Sequence, residues 1–149
     1  MKTGLCCLLL SICCFFACSS DDEVDASSFF IEFELDGAPY SIQGPLLPSL
    51  LRNDTLRMEY TFDSIELNLV FADFSGEGSY LGLAFLGTVV SGSPVLADPY
   101  GGTASMAVDT YAANEQIGGT FSGTLAQVNT PNPSTRVLRE GRFRVEVRE

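Results

Sequence analysis

From Phe29 onward, apolar and polar side chains alternate with a period of two, and no stretch sustains the 3.6-residue period of an amphipathic helix. The alternation is clearest at residues 29–35, 56–62 and 65–71. Such alternation is typical of strands that bury one face. About eight such segments are separated by short runs rich in Gly, Pro, Asn and Asp. The sequence therefore predicts an all-β fold, an antiparallel β-sandwich or small barrel of about eight strands.

Three segments of the body give more specific expectations. Asp36-Gly37 predicts a tight hairpin turn between the first two strands. Residues 44–54 contain two prolines and no clear alternation, so we predict a connecting loop or a short helical turn there. Residues 80–86 (YLGLAFL) are apolar at nearly every position, which predicts a central strand that is covered on both faces.

The cysteines exclude several kinds of chemistry because of where they lie. Every one falls within the first eighteen positions, namely Cys6, Cys7, Cys13, Cys14 and Cys18. The body of the chain therefore has no disulfide framework, no thiolate metal site and no cysteine nucleophile.

The N-terminal residues have the organisation of a bacterial signal sequence. Lys2 supplies a positive charge, residues 4–16 form an apolar run too short to span a bilayer as a helix, and Ala17 precedes Cys18. We predict a signal peptide at 1–17, a lipidated cysteine with an acidic tether at 18–28, and a single β domain at 29–149. The alternative is an ordinary secretory signal in which Cys18 is one more apolar residue.

Short motifs resemble those of small surface lipoproteins from the Bacteroidota. The segment FFAC at 15–18 resembles a lipobox, and SSDDE at 19–23 resembles the export signal that follows the lipidated cysteine in those proteins. LDGAPY at 35–40 and the segments 118–125 and 140–145 resemble the first turn and closing hairpin of a lipoprotein domain of unknown function. The resemblance implies β architecture and a lipid anchor, with acyl chains such as palmitate, in the outer membrane, surface-exposed rather than periplasmic. It implies no activity and no binding residue.

The charge of the body narrows the choice of partner. After Cys18 there are seven arginines and 19 carboxylates, a net charge of −12, with no Lys, His or Trp. Clustered cations are needed to contact phosphates, so nucleic acid is not an expected partner. Catalysis by a Ser-His-Asp triad, a histidine base or a Schiff-base lysine is also excluded. We therefore expect neither an enzyme nor a cofactor.

Two sets of side chains are candidate ligand sites. The loop at 73–78 (DFSGEG) could bind a metal ion, calcium above all, through Asp73 and Glu77, although it lacks the spacing of a calcium-binding loop and also fits a plain glycine-rich turn. A second set could bind an anion or an acidic glycan, because guanidinium groups recognise carboxylates in a bidentate manner. This set is Arg142, Arg144 and Arg148. Its alternative interpretation is a cross-strand ladder to Glu32 and Glu34.

These observations favour a lipid-anchored cell-envelope protein that is monomeric and non-catalytic. Its β domain would act as a binding or accessory component, with an envelope protein or a glycan as partner. Two alternatives remain open at this point. One is a lipocalin-like carrier of a small apolar ligand, and the other is a glycosidase that uses a carboxylate pair such as Glu32 and Glu34.

Overall fold

The computed structural model describes residues 29–63, 65–89 and 96–149. The predicted signal peptide, Cys18 and the acidic tether lie outside these residues. Within them the protein is all-β. No helix in this part of the chain has the length and apolar character needed to cross a membrane. The strands are β1 (Phe30–Leu35), β2 (Ala38–Gln43), β3 (Ser49–Arg52), β4 (Thr55–Phe62), β5 (Ile65–Phe71), β6 (Gly78–Val89), β7 (Leu96–Ala112), β8 (Gln116–Gln127) and β9 (Thr135–Arg148).

The strands form a small barrel, one of the two predicted architectures. Strands β3 to β8 pair in sequence order, and β9 pairs with both β3 and β8, which closes a ring of seven strands. The hairpin β1–β2 adds two further strands beside β9. Neighbouring strands are antiparallel except β3 and β9, which are parallel.

Strand β9 closes the barrel because it pairs with other strands along both of its edges. On one edge it pairs with β8 along most of its length, with Phe143 opposite Gly119. On the other edge its first part pairs with β1, where Arg142 lies opposite Glu32, and its last residues pair with β3. The hairpin β1–β2 therefore lies alongside the part of β9 that β3 leaves uncovered.

The alternation predicted from the sequence is confirmed by burial. In β4, Leu56, Met58, Tyr60 and Phe62 are buried, and the residues between them are exposed. The interior is filled by aromatic and branched side chains that come from most of the strands. Phe33 of β1 packs edge-on against Phe62, with ring centroids 5.0 Å apart. Full burial of a side chain of this size contributes roughly 1.5–3 kcal/mol.

The predicted first hairpin is also confirmed. Asp36 and Gly37 have φ values of 53° and 85°, the left-handed conformations that a two-residue hairpin turn of type I′ requires. The turn is bound to β9 as well, because the Asp36 carboxylate accepts a hydrogen bond from the Val137 N–H at 2.9 Å. The Asp36 N–H donates in turn to the Val137 carbonyl at 3.1 Å.

The prediction of a loop or helical turn across 44–54 is wrong over its second half. Residues Ser49–Arg52 form β3, which pairs with both β4 and β9. The usual polarity is inverted there, because Ser49 faces the interior at 1% exposure and Leu50 faces outward at 43%. Ser49 can be buried because its hydroxyl is hydrogen-bonded to the Tyr60 hydroxyl at 3.0 Å.

The prediction that both faces of 80–86 are covered is also wrong. This segment belongs to β6, and its outward side chains Leu81, Leu83 and Phe85 are 84%, 49% and 42% exposed. The reason is closure of the sheet on itself. A barrel buries only its inner face, and none of the described residues forms a second layer over β6.

Candidate functional site

A groove of about 850 Å³ runs across the outside of the barrel. It extends over six adjacent strands, in the order β2, β1, β9, β8, β7 and β6. One cross-strand row of outward side chains forms its centre. In strand order this row is Ser41, Glu32, Arg142, Thr120, Ala107 and Ser79. The groove is open to solvent and is therefore a surface site rather than an internal chamber.

Hydroxyl groups are the most numerous polar groups in the lining of the groove, which also has apolar surface from residues such as Phe33, Leu81 and Phe121. Besides the central row, Tyr40, Ser105 and Ser122 contribute to it. The Ser105 and Ser122 hydroxyls lie 3.0 Å apart and are hydrogen-bonded to each other. The Tyr40 ring is stacked on Phe33 with centroids 5.2 Å apart, so its position on the wall is held by the core.

Charged side chains in the groove are mostly acidic. Arg142 forms an ion pair with Glu32 across the β1–β9 pairing. Glu34 and Glu140 also line the groove. Because Arg142 is the one cation among the described lining residues, the groove carries an excess of negative charge. An anionic ligand would be repelled there.

The three candidate arginines share the exposed face of β9, as predicted, but the structure does not bring them into one pocket. Arg142 lines the groove, whereas Arg148 pairs with Glu146 of its own strand at 2.7 Å. Arg144 forms no ion pair with any residue that the structure describes. The Glu32–Arg142 contact is the cross-strand pair of the alternative interpretation. At this exposure such a pair contributes roughly 0.2–1 kcal/mol.

The packing of Phe74 explains the conformation of the loop that contains Asp73 and Glu77. Phe74, between them, is buried at 3% exposure, and its ring lies 5.0 Å from Tyr80 and 5.3 Å from Tyr111. The Tyr80 hydroxyl donates a hydrogen bond to the Gly76 carbonyl at 2.8 Å. Asp73 and Glu77 are both exposed, and the described residues contain no group of three potential metal ligands. Phe74 thus anchors the loop to the aromatic side chains beside it.

We expect the domain to fold without metal or disulfide. The reason is that the loop is held by Phe74 and Tyr80, while Asp73 and Glu77 extend into solvent. Addition of EDTA or of a reductant should therefore leave the melting temperature unchanged in calorimetry. The control is Asp73→Asn, which should melt like the wild type with and without calcium. A large loss of stability in EDTA that calcium reverses, and that Asp73→Asn abolishes, would identify the loop as a metal site.

The geometry bears on the two alternative functions, the glycosidase and the lipocalin-like carrier. Glu32 and Glu34 both line the groove, about 7 Å apart along β1. They project from one face of one strand, whereas glycosidases place their carboxyl groups on either side of the bond that is cleaved. A carrier of the lipocalin kind needs an empty chamber in the barrel. In the described residues that space is occupied by Phe33, Phe121 and Phe143.

Comparisons of the chain with protein-family models, with curated proteins and with solved structures each returned no match. The chemistry of the groove is therefore the basis for interpretation. Sequence reasoning identified Glu32 and Arg142 but missed the hydroxyl side chains around them, Ser41, Ser79 and Thr120. The alternation of each strand predicts that these side chains face outward, but it does not predict that they lie next to each other. What brings them together is the register of strands far apart in the chain.

Proposed function

We propose that this protein is a lipid-anchored component of the cell envelope. Its barrel binds a neutral glycan in the groove that extends from β2 to β6 across the outside of the sheet. The single observation that carries the proposal is the lining of that groove, which combines many hydroxyl groups with a polar ion pair. The lipidated Cys18 would hold the domain at the outer membrane, surface-exposed, where extracellular polysaccharides are within reach. The proposed role is binding rather than catalysis.

The lining selects among ligand classes. Polar groups lose hydration when a ligand covers them, so an apolar ligand would leave the serine and threonine hydroxyls without partners. The excess of carboxylates disfavours acidic sugars, contrary to the anion site considered for the arginines. A neutral sugar presents hydroxyls that both donate and accept, which matches Ser, Thr, Glu and Arg side chains.

The Glu32–Arg142 pair provides the planar polar groups of the site. The guanidinium offers several N–H donors and the carboxylate two acceptor oxygens, so adjacent sugar hydroxyls can bind to both. The pair is oriented by the backbone pairing of β1 with β9. Tyr40 on the wall offers an aromatic edge with a polar tip. The volume of about 850 Å³ lies within the usual range for ligand sites.

Calorimetric titration with defined oligosaccharides tests this proposal. The probes are neutral glucan, mannan and xylan oligomers, an oligogalacturonate, and a lysine-rich peptide. Ala107→Trp fills the middle of the groove, and Thr61→Trp places the same side chain on β4, outside the groove. We expect at least one neutral oligomer to bind, with affinity reduced roughly tenfold or more, about 1.4 kcal/mol, by Ala107→Trp and unchanged by Thr61→Trp. Glu32→Gln should weaken binding to a smaller extent.

Three outcomes would contradict the glycan proposal. Binding confined to the oligogalacturonate would show that the arginines, and not the hydroxyls, determine the ligand. Binding confined to the peptide would show that the carboxylates do so. Equal affinity in Ala107→Trp and Thr61→Trp, with both proteins melting like the wild type, would place the ligand elsewhere.

The anchor is tested separately by fractionation. Cys18→Ala should abolish incorporation of labelled palmitate and remove the protein from the membrane fraction, because two or three acyl chains at about 0.8 kcal/mol per buried methylene otherwise make release negligible. Cys14→Ala is the matched control from the same segment and should behave like the wild type. The lipoprotein assignment is wrong if Cys18→Ala is processed, labelled and sedimented with membranes as before.

A further inference from the structure

The outer face of β6 carries a row of large apolar side chains, and the strands beside it carry small ones. We call Leu81, Leu83 and Phe85 the β6 ridge. Each ridge residue is followed across β7 and β8 by two small residues. These pairs are Ser105 and Ser122 beside Leu81, Thr103 and Thr124 beside Leu83, and Gly101 and Ala126 beside Phe85. We call these six residues the shelf.

The ridge and the shelf differ in height, which gives the face a defined shape. Beyond Leu81 the shelf and the first part of β9 enclose a depression of about 470 Å³, bounded on the far side by Val137 and Arg139. At the other end, Phe85 and Val128 approach each other over Gly101, where an added Cβ would lie 3.5 Å from each side chain. The face therefore consists of an apolar ridge parallel to a shallow depression.

This face is also free of charge. None of the nine ridge and shelf residues is ionisable, in a chain of which 18% of residues are charged and which has a net charge of −12 after Cys18. Three large apolar side chains in a row on an open surface are typical of an interaction site. An occupant that carries the same strong negative charge could still approach here without placing like charges opposite each other.

We propose that the occupant is a second copy of this chain, packed face to face about a two-fold axis. Such an interface must be self-complementary, because one patch meets its own copy. The ridge and the parallel depression satisfy that condition: rotation about an axis that runs over β7, parallel to the strands, places the ridge of each copy over the depression on the other. This proposal replaces the expectation of a monomer, and it rests on the proposed lipid anchor but not on the glycan. Ser105 and Ser122 belong to both the shelf and the groove, so the second copy covers that end of the groove.

The area of the face makes this a weak dimer. With strands about 4.8 Å apart and about 3.3 Å per residue, the ridge, the shelf and the adjoining parts of β5 and β9 cover roughly 400 Å². Two such faces bury about 800 Å², below the range for stable specific interfaces, so the contact is too weak to persist between copies that are free in solution. Anchoring in one membrane raises the effective concentration of the copies, which is how a weak contact becomes populated.

Cross-linking in membranes tests the dimer directly. The body has no cysteine after Cys18, so Thr103→Cys introduces a single thiol into the domain, close to the proposed axis and outside the groove. Thr61→Cys on the outer face of β4 is the matched control. The full-length chain is expressed in a bacterium that processes lipoproteins, and its membranes are treated with a short bis-maleimide. We expect covalent dimers from Thr103→Cys and not from Thr61→Cys or the wild type.

Two further measurements distinguish this interface from chance encounters. Leu83→Glu, added to Thr103→Cys, should reduce the dimer yield roughly tenfold, because it places a carboxylate at the centre of the apolar contact. Raising the salt from about 0.01 M to 0.15 M shortens the Debye length from about 30 Å to 8 Å and should increase the yield. The proposal is overturned by equal yields from both thiol positions, by no dimer at either position, or by cross-links from Thr103→Cys to a protein of another mass.

Discussion

Phe71→Ala is expected to lower the free energy of unfolding by about 3–5 kcal/mol, the range for loss of a buried phenyl ring. Phe71 is fully buried in the core. Its ring covers Gly82 of β6 so closely that an added Cβ there would lie 2.5 Å from the Phe71 Cδ1 atom. The neighbouring strands are tied together by hydrogen bonds and cannot collapse into the space. For a domain of this size the melting temperature should fall by roughly 12–20 °C.

Phe85→Ala is the matched control because it removes the same side chain from the outer face of the barrel. Phe85 is 42% exposed, so its replacement should lower the stability of the fold by roughly 1 kcal/mol or less. Urea denaturation followed by circular dichroism measures both variants. Similar losses in the two proteins would mean that the assignment of inner and outer faces of β5 and β6 is wrong.

Stability should also fall steeply at alkaline pH because of Tyr60. Burial raises the pKa of Tyr60 to about 12, and the hydrogen bond with Ser49 lowers it in part. The phenol in the unfolded chain has a pKa near 10, so below that pH both states are protonated and Tyr60 adds no pH dependence. Between about pH 10 and 12 the unfolded chain loses the proton and the folded protein keeps it. The free energy of unfolding should therefore decrease by about 3 kcal/mol in total over that window.

Paired substitutions separate this titration from the other effects of the hydroxyl. Tyr60→Phe should remove most of the alkaline loss but leave the Ser49 hydroxyl buried without its partner, at a cost of about 1–3 kcal/mol. The double variant Ser49→Ala with Tyr60→Phe removes both groups, so its alkaline loss should be small and its stability near pH 7 higher than that of Tyr60→Phe. Burial and the hydrogen bond to Glu149 also raise the pKa of Tyr111, so some slope remains. An unchanged slope in the double variant would refute the role of Tyr60.

Much of the barrel is encoded locally and could therefore be predicted. In β1 and β4 the inward positions are apolar and the outward ones, apart from Phe30, are polar, so period-two alternation identifies both the strand and its buried face. Asp36-Gly37 has the backbone conformations that a tight hairpin needs. In such segments the local pattern and the final packing agree, because each strand is buried on one side only.

The errors arose where burial depends on partners far away in sequence. β3 has a leucine outside and a serine inside, and the buried serine hydroxyl has its hydrogen-bond partner in Tyr60 of another strand. β6 has apolar residues on both faces, but closure of the barrel leaves the outer ones exposed. The groove belongs to the same category. Its central row depends on the pairing of Glu32 with Arg142 and of Arg142 with Thr120, and no single segment contains that information.

The double pairing of β9 also affects when this chain can fold. A protein is synthesised and exported from its N-terminal end, so β1 to β8 emerge before the strand that joins β1, β3 and β8. Until β9 arrives, the ring cannot close and the β1–β2 hairpin lacks its neighbour. Stability that depends on such distant pairings develops late, and unpaired strand edges are exposed in the interval. If the chain is exported as we propose, this order of strands postpones folding until translocation is nearly complete, and aggregation is most to be expected in this period.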